Sequence, residues 1–397
     1  MNIANLNIYV TNQGKESARG IAASVVAIAH AYGLFIFPFL GADYYFGQLF
    51  SIAAHQAVMI FFIISGYLIT LSILNNVRRN EEFNFTKYIS SRLARIHPPL
   101  FFAVILSIFF LGIIRLFNLR GVDSSLPFAV GNFEPSRKVF LLTFEDIKNV
   151  VMMRNGMLEV DGPLWSLYIE WRIYIVMGVL AFLVTSKKLT SKIIMSFIFI
   201  YVVNALISVN EHAFFYLSVW LLGALLALIP SAKKILTGKY RFFIFLILSA
   251  IVILWAFFSP AMLMAGGNKF GLFENTYQLL ICILWCFIVI PDHKVKPTLF
   301  STISIWLGNF SYSLYILHFP IMLFVFALSH RMIEGSLNYA FLAAILSLLS
   351  AVAISRVSSI YFENKIYFQK PIYKILNYIV SLMRQCSHKL RPLLKDD

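Results

Sequence analysis

An arginine and a histidine lie eleven residues apart in an otherwise apolar stretch near the start of the chain. The stretch runs from Arg19 to His30 and reads R-G-I-A-A-S-V-V-A-I-A-H. At about 100° per residue both side chains project from one face of a helix, roughly 16 Å apart along its axis. An ionisable residue inside a membrane helix is costly and by default indicates a functional site. The alternative is an arginine that reaches the lipid headgroups and a histidine hydrogen-bonded within a helix bundle.

A carboxylate is expected at the same depth in a neighbouring helix. Glu170 lies about seven residues inside the fourth predicted span, and His30 lies about seven residues from the outer end of the first. Both side chains should therefore lie ~10 Å below the outer boundary. A carboxylate beside an imidazole fixes its tautomer and raises its basicity, which predicts a general-base dyad. The alternative is a structural ion pair of Glu170 with Arg172 or Arg115.

A pair of arginines before the third predicted span offers a candidate phosphate site. Arg92 and Arg95 lie with Lys87 in a predicted inner loop at 75–97, just before His97. Arginine recognises phosphate through bidentate hydrogen bonds. The alternative is a charge cluster that only sets the membrane topology.

Three further positions have both a functional and a structural interpretation. His318 precedes Pro320 in the ninth predicted span, and a lone histidine there is more often a hydrogen-bonded bundle residue. The pair Ser65-Gly66 permits close helix packing. Trp165 is either an interfacial residue or a platform on which a sugar ring stacks. Each of these positions, taken alone, favours the structural interpretation.

The composition is that of a polytopic membrane protein. Of 397 residues, 60% are hydrophobic and 13% are charged, and the mean hydropathy is +0.79, which excludes an ordinary soluble globule. The net charge of +15 does not indicate nucleic-acid binding, because the basic residues lie in short segments between apolar spans. The three cysteines form no disulfide framework, and no Cys/His spacing predicts a metal site.

We count about ten candidate spans, most of roughly 17–25 residues, the length that crosses ~30 Å of hydrocarbon. With the N-terminus inside, most basic residues fall in inner segments, so both termini are expected to be cytoplasmic. The sequence thus predicts an all-α transmembrane bundle, a multi-pass protein of the inner (plasma) membrane. The approximate span limits are 17–37, 52–74, 98–118, 163–185, 192–210, 213–230, 241–258, 277–291, 301–327 and 339–361.

Two segments lie outside these spans in a distinctive way. The chain divides into a transmembrane domain at 1–362 and a tail at 363–397 that is basic and amphipathic. Such a tail is expected to lie along the inner membrane surface and to contact lipids. The predicted outer loop at 119–162 is long enough to be a lid or a binding segment.

Six short motifs occur in order along the chain, and through them the sequence resembles the acyltransferase-3 family of integral membrane proteins. This family includes bacterial O-antigen and exopolysaccharide O-acetyltransferases. One departure is Met59, because the family often has an acidic residue near this position. The matching motifs are R-G-I-A-A…H at Arg19 to His30, F-F-I-I-S-G-Y-L-I at Phe61 to Ile69, R-L-A-R-I-H-P at Arg92 to Pro98, W-S-L-Y-I-E at Trp165 to Glu170 with Tyr174, the run from Leu307 to Pro320, and Tyr361-Phe362-Glu363.

The resemblance implies transfer of an acyl group, usually acetyl from cytoplasmic acetyl-CoA, to a saccharide hydroxyl at the outer face. It implies no bound cofactor or metal, with acetyl-CoA as the donor substrate and a saccharide and membrane lipids as partners. His30 would act as base or acyl carrier, with Glu170 orienting it. Donor binding is expected at Arg19, Arg92, Arg95, Ser65 and Gly66, and acceptor binding or support at Trp165, Tyr174, Tyr312 and His318.

A transporter or flippase of lipid-linked saccharides is the alternative, since buried histidine and arginine also serve substrate passage. A third possibility is a membrane sensor or structural protein without activity. Polar intramembrane residues concentrate in the first, fourth and ninth predicted spans, which favours a compact catalytic site. The sequence leaves open the acceptor, the acyl chain, direct against covalent transfer, and the oligomeric state.

Overall fold

The structure is a computed structural model that describes residues 3–40, 45–119, 143–154, 156, 160–207, 213–258, 272–291, 297–333 and 335–393. Over these residues the chain forms helices and turns without a strand, which confirms the predicted all-α class. In lipid every backbone N–H and C=O group needs a partner within the protein. A helix supplies those partners from its own segment, which explains why an apolar chain folds in this way.

The helices are numbered here in chain order. A π-helical turn at Tyr32–Ile36 continues α1 into α2. The bounds are α1 Ile3–Ala31, α2 Phe37–Leu40, α3 Tyr45–Asn80, α4 Phe85–Leu116, α5 Phe144–Val151, α6 Leu164–Thr185, α7 Leu189–Ile207, α8 Ala213–Leu228, α9 Pro230–Thr237, α10 Arg241–Phe258, α11 Leu272–Val289, α12 Leu299–Gly308, α13 Ser311–Ile333, α14 Leu337–Phe362 and α15 Lys365–Leu393.

The described part of the chain contains seven helical stretches that are long and apolar enough to cross a membrane. They fall in α1 with α2, α3, α4, α6, α7, α13 and α14, and four shorter apolar helices accompany them. Three of the shorter helices, α8, α10 and α11, coincide with the sixth, seventh and eighth predicted spans. The structure therefore describes a multi-pass membrane protein, while the count of ten spans stays a prediction.

The inner loop predicted at 75–97 is mostly helical, so that prediction is wrong. Helix α3 continues to Asn80, and α4 already begins at Phe85 because the Asn84 side chain accepts a hydrogen bond from the Lys87 backbone N–H at 2.9 Å. Such a cap satisfies one of the free N–H groups at a helix N-terminus. Arg92 and Arg95 consequently lie on the second and third turns of a rigid helix.

The ninth predicted span, 301–327, is divided in two. Helix α12 ends at Gly308 and α13 begins at Ser311. The break is stabilised from a distant part of the sequence, because the Glu363 carboxylate accepts a hydrogen bond from the Ser313 backbone N–H at 2.8 Å. A carboxylate at a helix N-terminus satisfies a free N–H group and complements the helix dipole.

Glycines bring pairs of helices into backbone contact near the candidate site residues Arg19 and Ser65. A Cβ atom on Gly66 of α3 would collide with the Trp220 carbonyl of α8, and one on Gly223 of α8 would collide with the Ile63 carbonyl of α3. Gly20 of α1 approaches the Ser304 carbonyl of α12 equally closely. Small residues permit such close approach of membrane helices. They hold α1 and α3, which carry Arg19 and Ser65, in fixed positions.

The tail and the predicted outer loop are also partly helical. Helix α15 begins at Lys365 and packs against α4, whereas its predicted contact with the membrane surface stays a prediction. In the loop, α5 has a capping box formed by Thr143 and Asp146. Residues 120–142, 155 and 157–159 of that loop, and 394–397 of the tail, lie outside the described residues.

Candidate active site

A cavity of about 800 Å³, measured with its mouth, lies between α1, α3, α4, α6 and α13. We call it the central cavity. It brings together most of the residues that the sequence predicted for the site. Seven of them line it, namely Arg19, Ser65, Arg92, Arg95, Glu170, Tyr174 and Tyr312.

Three arginines converge at one end of the central cavity. Arg19 pairs with Glu16 of its own helix at 3.5 Å. Arg92 is only 7% exposed, and its Nη2 atom donates to neutral hydroxyls, at 3.1 Å to Ser91 and 3.3 Å to Ser72. Its Nε–H group has no hydrogen-bond partner among the described residues. Because an unpaired buried donor costs roughly 1–3 kcal/mol, this guanidinium is suited to bind an anionic ligand.

A chain of hydrogen bonds forms one wall of the cavity beside the arginines. The hydroxyl groups of Ser65 and Tyr174 are 2.8 Å apart, and the Tyr174 hydroxyl donates to the Glu170 carboxylate. The Trp220 indole N–H donates to Ser65 Oγ at 3.3 Å. These bonds tie α3, α6 and α8 together. They fix Ser65, Tyr174 and Glu170 as one polar group, which the sequence analysis did not predict.

Further along the cavity, away from the arginines, the polar groups are neutral. Ser166 Oγ lies 2.7 Å from the Tyr315 hydroxyl, which also contacts the Pro163 carbonyl oxygen at 3.2 Å. Nearer the arginines, the Tyr312 hydroxyl donates at 3.0 Å to the carbonyl of Ile96, the residue after Arg95, and so joins α13 to α4. Sequence reasoning did not select Ser166 or Tyr315, although both lie inside motifs that it recognised.

Two histidines lie together just beyond Tyr315. The rings of His30 on α1 and His318 on α13 are 5.3 Å apart, and the ring of Tyr315 is 6.1 Å from that of His318. His318 Nδ1 lies 3.0 Å from the Leu314 carbonyl oxygen, a contact that requires the proton on Nδ1. Nε2 of His318 is then a bare acceptor, with no hydrogen-bond partner in the part of the chain that the structure describes.

The predicted contact between His30 and Glu170 is absent from the described residues, so this prediction of a dyad is wrong. Glu170 hydrogen-bonds Tyr174 and lines the cavity with the arginines, whereas the described ring neighbours of His30 are His318 and Phe319. The physical reason is an offset of one helical turn, about 6 Å. Ser166, four residues before Glu170, is the α6 residue that contacts Tyr315 next to the histidines.

Counting residues from predicted span ends could not show this offset, because such counts do not fix how far one helix is shifted along another. The alternative ion pair of Glu170 with Arg172 or Arg115 is also not formed among the described residues. Arg172 instead donates to the Tyr168 carbonyl at 3.0 Å.

Four predicted residues do not line the central cavity, namely His30, His318, Gly66 and Trp165. Gly66 faces the backbone of Trp220 in α8, so the structure assigns it to helix packing rather than to donor binding. Trp165 is partly buried, and its ring lies 5.1 Å from that of Tyr216. Met59, which departs from the usual acidic residue, is fully buried in the apolar core. The cavity therefore forms without a charge at that position.

A buried carboxylate lies at the start of α6. Asp161 is 0% exposed, and neither oxygen has a hydrogen-bond partner among the residues described. Burial raises the pKa of this carboxyl well above its usual range. No group of three or more His, Cys, Asp or Glu side chains in the described segments is placed to hold a metal ion.

Comparison with known proteins identifies the family of the chain. The chain matches the family described as "Acyltransferase domain" over residues 14–356. It belongs to the acyltransferase-3 family. Every predicted site residue, from Arg19 to His318, lies within the matched range.

Family relatives carry O-acetyltransferase names. The chain is 28% identical to an O-acetyl transferase of Shigella phage Sf6 over 209 residues, which are 52% of this chain and 56% of the relative. It is 25% identical to O-acetyltransferase OatA of Staphylococcus aureus (strain NCTC 8325 / PS 47) over 293 residues, 67% of this chain and 45% of the relative. The chain thus spans about half the length of the curated relatives that it matches. No solved structure matches it significantly.

Proposed function

We propose that this acyltransferase-3 family protein is a membrane-bound O-acyltransferase that moves an acetyl group from acetyl-CoA to a hydroxyl of a saccharide. The observation that carries the proposal is the arrangement of the central cavity. Three arginines lie at one end of it, and two histidines lie in ring contact just beyond the tyrosine at the other. Anion binding and proton transfer are the two tasks that acyl transfer from a phosphorylated thioester requires. The family membership and the names of the relatives support the same activity.

The arginine end would hold the donor. Arg19, Arg92 and Arg95 bind phosphate oxygens through charged hydrogen bonds, which are shorter and stronger than neutral ones. Glu170 is expected to hold these guanidinium groups in place from the cavity wall, through its bond to Tyr174, rather than to orient His30. The thioester arm then extends along the cavity past Ser65 and Ser166 toward the histidines.

The histidine end would carry the reaction. His30 accepts the proton of the saccharide hydroxyl as its oxygen attacks the carbonyl carbon of the thioester. The carbon–sulfur bond breaks, and the thiolate leaves with that proton as coenzyme A. His318, with its bare Nε2 acceptor, lies close enough to orient the hydroxyl or to share the proton. The product is an acetyl ester of the saccharide.

The two ends would face opposite sides of the inner membrane, with both chain termini and the arginines on the cytoplasmic side. The basic residues of the predicted inner segments support this orientation. In a variant without native cysteines, an impermeant thiol reagent applied to intact cells should label Cys introduced at Lys148 but not Cys introduced at Lys234. The reverse labelling would contradict the orientation.

The activity is tested by NMR of the surface polysaccharide from cells with and without the gene. We expect O-acetyl signals only in cells that carry it, and the same spectrum identifies the acceptor sugar and its position. Incubating membranes with acetyl-CoA labelled in the acetyl group should transfer the label to polysaccharide. Loss of the gene without any change in O-acetyl signals, and no transfer in membranes, would contradict the proposal.

A further inference from the structure

A second cavity, of about 970 Å³ with its mouth, lies where the tail helix packs on the bundle. It is bounded by the end of α3, the start of α4 and the first turns of α15. We call it the basic cavity. Its lining includes six polar residues, Ser72, Arg79, Lys87, Ser91, Lys365 and Gln369. Sequence reasoning treated the tail as a membrane-surface segment and did not connect it with the site.

The basic cavity carries three cationic side chains and is lined by no carboxylate among the described residues. Arg79, Lys87 and Lys365 also form no ion pair in the described segments. Partial burial, together with the nearby Arg92 and Arg95 guanidinium groups, lowers the pKa of Lys365 to about 8. Like charges held close together without counterions repel one another, and a bound anion relieves that repulsion. The basic cavity is therefore suited to bind an anion.

The basic cavity and the central cavity share part of their lining. Leu68 lines both. Arg92 lines the central cavity, while its Nη2 atom bonds Ser72 and Ser91 of the basic cavity. The buried Nε–H group of Arg92 has no partner among the described residues. A ligand that spans both cavities would therefore pass directly over Arg92.

We propose that the basic cavity binds the phosphorylated adenosine end of acyl-CoA, and that Lys365 of the tail helix completes the donor site. This inference rests on the proposed function. Lys365 lies beyond the residues of the family match, which end at 356, so the family does not assign it a role. An extended acyl-CoA would place its nucleotide phosphates between Lys365 and Lys87, and its thioester arm past Arg92 into the central cavity.

An anionic lipid headgroup presents the same phosphate chemistry. The lining favours a nucleotide, because the cavity also contains hydroxyl and amide side chains, Ser72, Ser91 and Gln369, that hydrogen-bond sugar hydroxyls and a base. Its connection to the central cavity is the second reason. A lipid phosphate would contact the cationic side chains, but it would not account for the connection between the basic cavity and the central cavity.

The test is equilibrium binding of three probes to the full-length protein in phosphatidylcholine nanodiscs. The probes are coenzyme A, adenosine 3′,5′-bisphosphate, which is the nucleotide end alone, and pantetheine, which has no phosphate. We expect Lys365→Gln and Lys87→Gln each to weaken binding of the first two about five- to tenfold, with a charged hydrogen bond lost at a partly exposed site. Pantetheine binding should not change.

Two controls separate a local effect from misfolding and from general charge loss. Lys370→Gln removes the same charge from an exposed position of the same helix and should bind all three probes as the wild type does. Lys365→Arg keeps the charge in the cavity and should retain most of the affinity for coenzyme A. Loss of affinity in Lys370→Gln to the same degree would overturn the inference.

The outcomes distinguish this inference from the function on which it rests. Coenzyme A binding that is normal in the wild type and unchanged in Lys365→Gln and Lys87→Gln overturns the inference and leaves the function standing. A wild type that binds no coenzyme A overturns both. If nanodiscs with phosphatidylglycerol retain less of that lipid around the variants while nucleotide binding is unchanged, the cavity is a lipid site and the nucleotide assignment is wrong.

Discussion

The two ends of the central cavity are built from different chemistry. At the arginine end, all three arginines lie within electrostatic range of Glu170, and Arg92 and Arg95 also lie within range of Lys365. At the histidine end, the described polar groups are hydroxyls, backbone carbonyls and imidazoles. One end is suited to hold a large anion, and the other to move a single proton in a dry environment.

This difference in charge would keep the two proposed tasks, donor binding and proton transfer, apart. A strongly charged neighbour would bias an imidazole toward one protonation state, whereas a base must take up and release its proton in each cycle. Separating His30 from Glu170 by about one helical turn leaves Glu170 with Tyr174 and the arginines. On the proposed function, donor binding and proton transfer would therefore occur at opposite ends of one cavity, although α1 carries both Arg19 and His30.

The largest effect is expected at the histidine end. His30→Ala should lower acetyl transfer by about 10²–10⁴-fold, the usual contribution of a general base, while the protein still inserts. A histidine that only hydrogen-bonds in the bundle would cost about 0.6 kcal/mol of stability on average. The measurement is the O-acetyl content of the surface polysaccharide at matched protein levels.

The matched control for this prediction is His330→Ala. His330 lies on α13, the helix of His318, but in its last turn next to Phe326. It should leave transfer close to the wild-type level. Substantial acetylation by His30→Ala would falsify the role of His30 as the base and would direct attention to His318.

A smaller effect, confined to the donor, is expected at the arginine end. Arg92→Ala and Arg95→Ala should each raise the KM for acetyl-CoA roughly 10–100-fold, because one charged hydrogen-bonded contact is worth about 1.5–3 kcal/mol. Glu170→Gln should act in the same direction, since it loosens the guanidinium groups. The measurement is initial rate against acetyl-CoA concentration in membranes.

Arg78→Ala is the control here, because Arg78 is an exposed cation at the end of α3 that lines neither cavity. Its KM for acetyl-CoA should equal that of the wild type. A raised acceptor constant with an unchanged donor constant in Arg92→Ala and Arg95→Ala would reverse the assignment of the two ends.

The sequence was sufficient for the class of fold and for the composition of the cavity. Apolar runs with few charges required helices, and the order of the motifs selected Arg19, Arg92, Arg95, Ser65 and Tyr174, which the structure brings together. The all-α class is confirmed and these residues lie together because both depend on residue type and order, whereas the roles assigned to the residues stay predictions. Residue type and order do not require knowledge of how a helix is rotated or where it stops.

The predictions that failed depend on tertiary contacts. The Glu363 carboxylate binds the Ser313 N–H group from fifty residues away, so this contact at the break between α12 and α13 is not local in the sequence. The offset between His30 and Glu170 depends on how α1 and α6 are shifted along each other, which residue counts from span ends do not fix. The docking of α15 on α4 could not be read from amphipathicity, because a helix with one apolar face packs equally well on a membrane or on another helix.

A still smaller effect is expected in the pH dependence of coenzyme A binding, through Lys365 next to the arginine end. Because the pKa of Lys365 is lowered to about 8 by burial and by Arg92 and Arg95, coenzyme A should bind fully below pH 7 and lose up to about five- to tenfold in affinity as the pH rises through 8. Lys365→Arg should remove this dependence between pH 7 and 9, since arginine stays charged there.

The other cations that face Lys365 are the same in both proteins, namely Arg79 of α3 and Lys87, Arg92 and Arg95 of α4. The comparison therefore isolates one amine. The measurement is the coenzyme A dissociation constant in phosphatidylcholine nanodiscs at half-unit pH steps. Identical pH profiles for the wild type and Lys365→Arg would show that Lys365 does not contact the phosphates.

The smallest effect on activity is expected at Asp161, which lines neither cavity and changes stability instead. Burial raises the pKa of its carboxyl in the folded protein, so folding favours the protonated form. The resulting stability is fully present below the unfolded pKa, near 4, and is lost as pH rises toward the folded pKa, by about 1.4 kcal/mol per pH unit.

Asp161→Asn stays neutral throughout. Its thermal midpoint in detergent should equal that of the wild type near pH 4 and exceed it at pH 8, whereas the exposed control Glu81→Gln should follow the wild type at both. A lower midpoint for Asp161→Asn at pH 8 would mean that the carboxylate is charged and bound to a cation there.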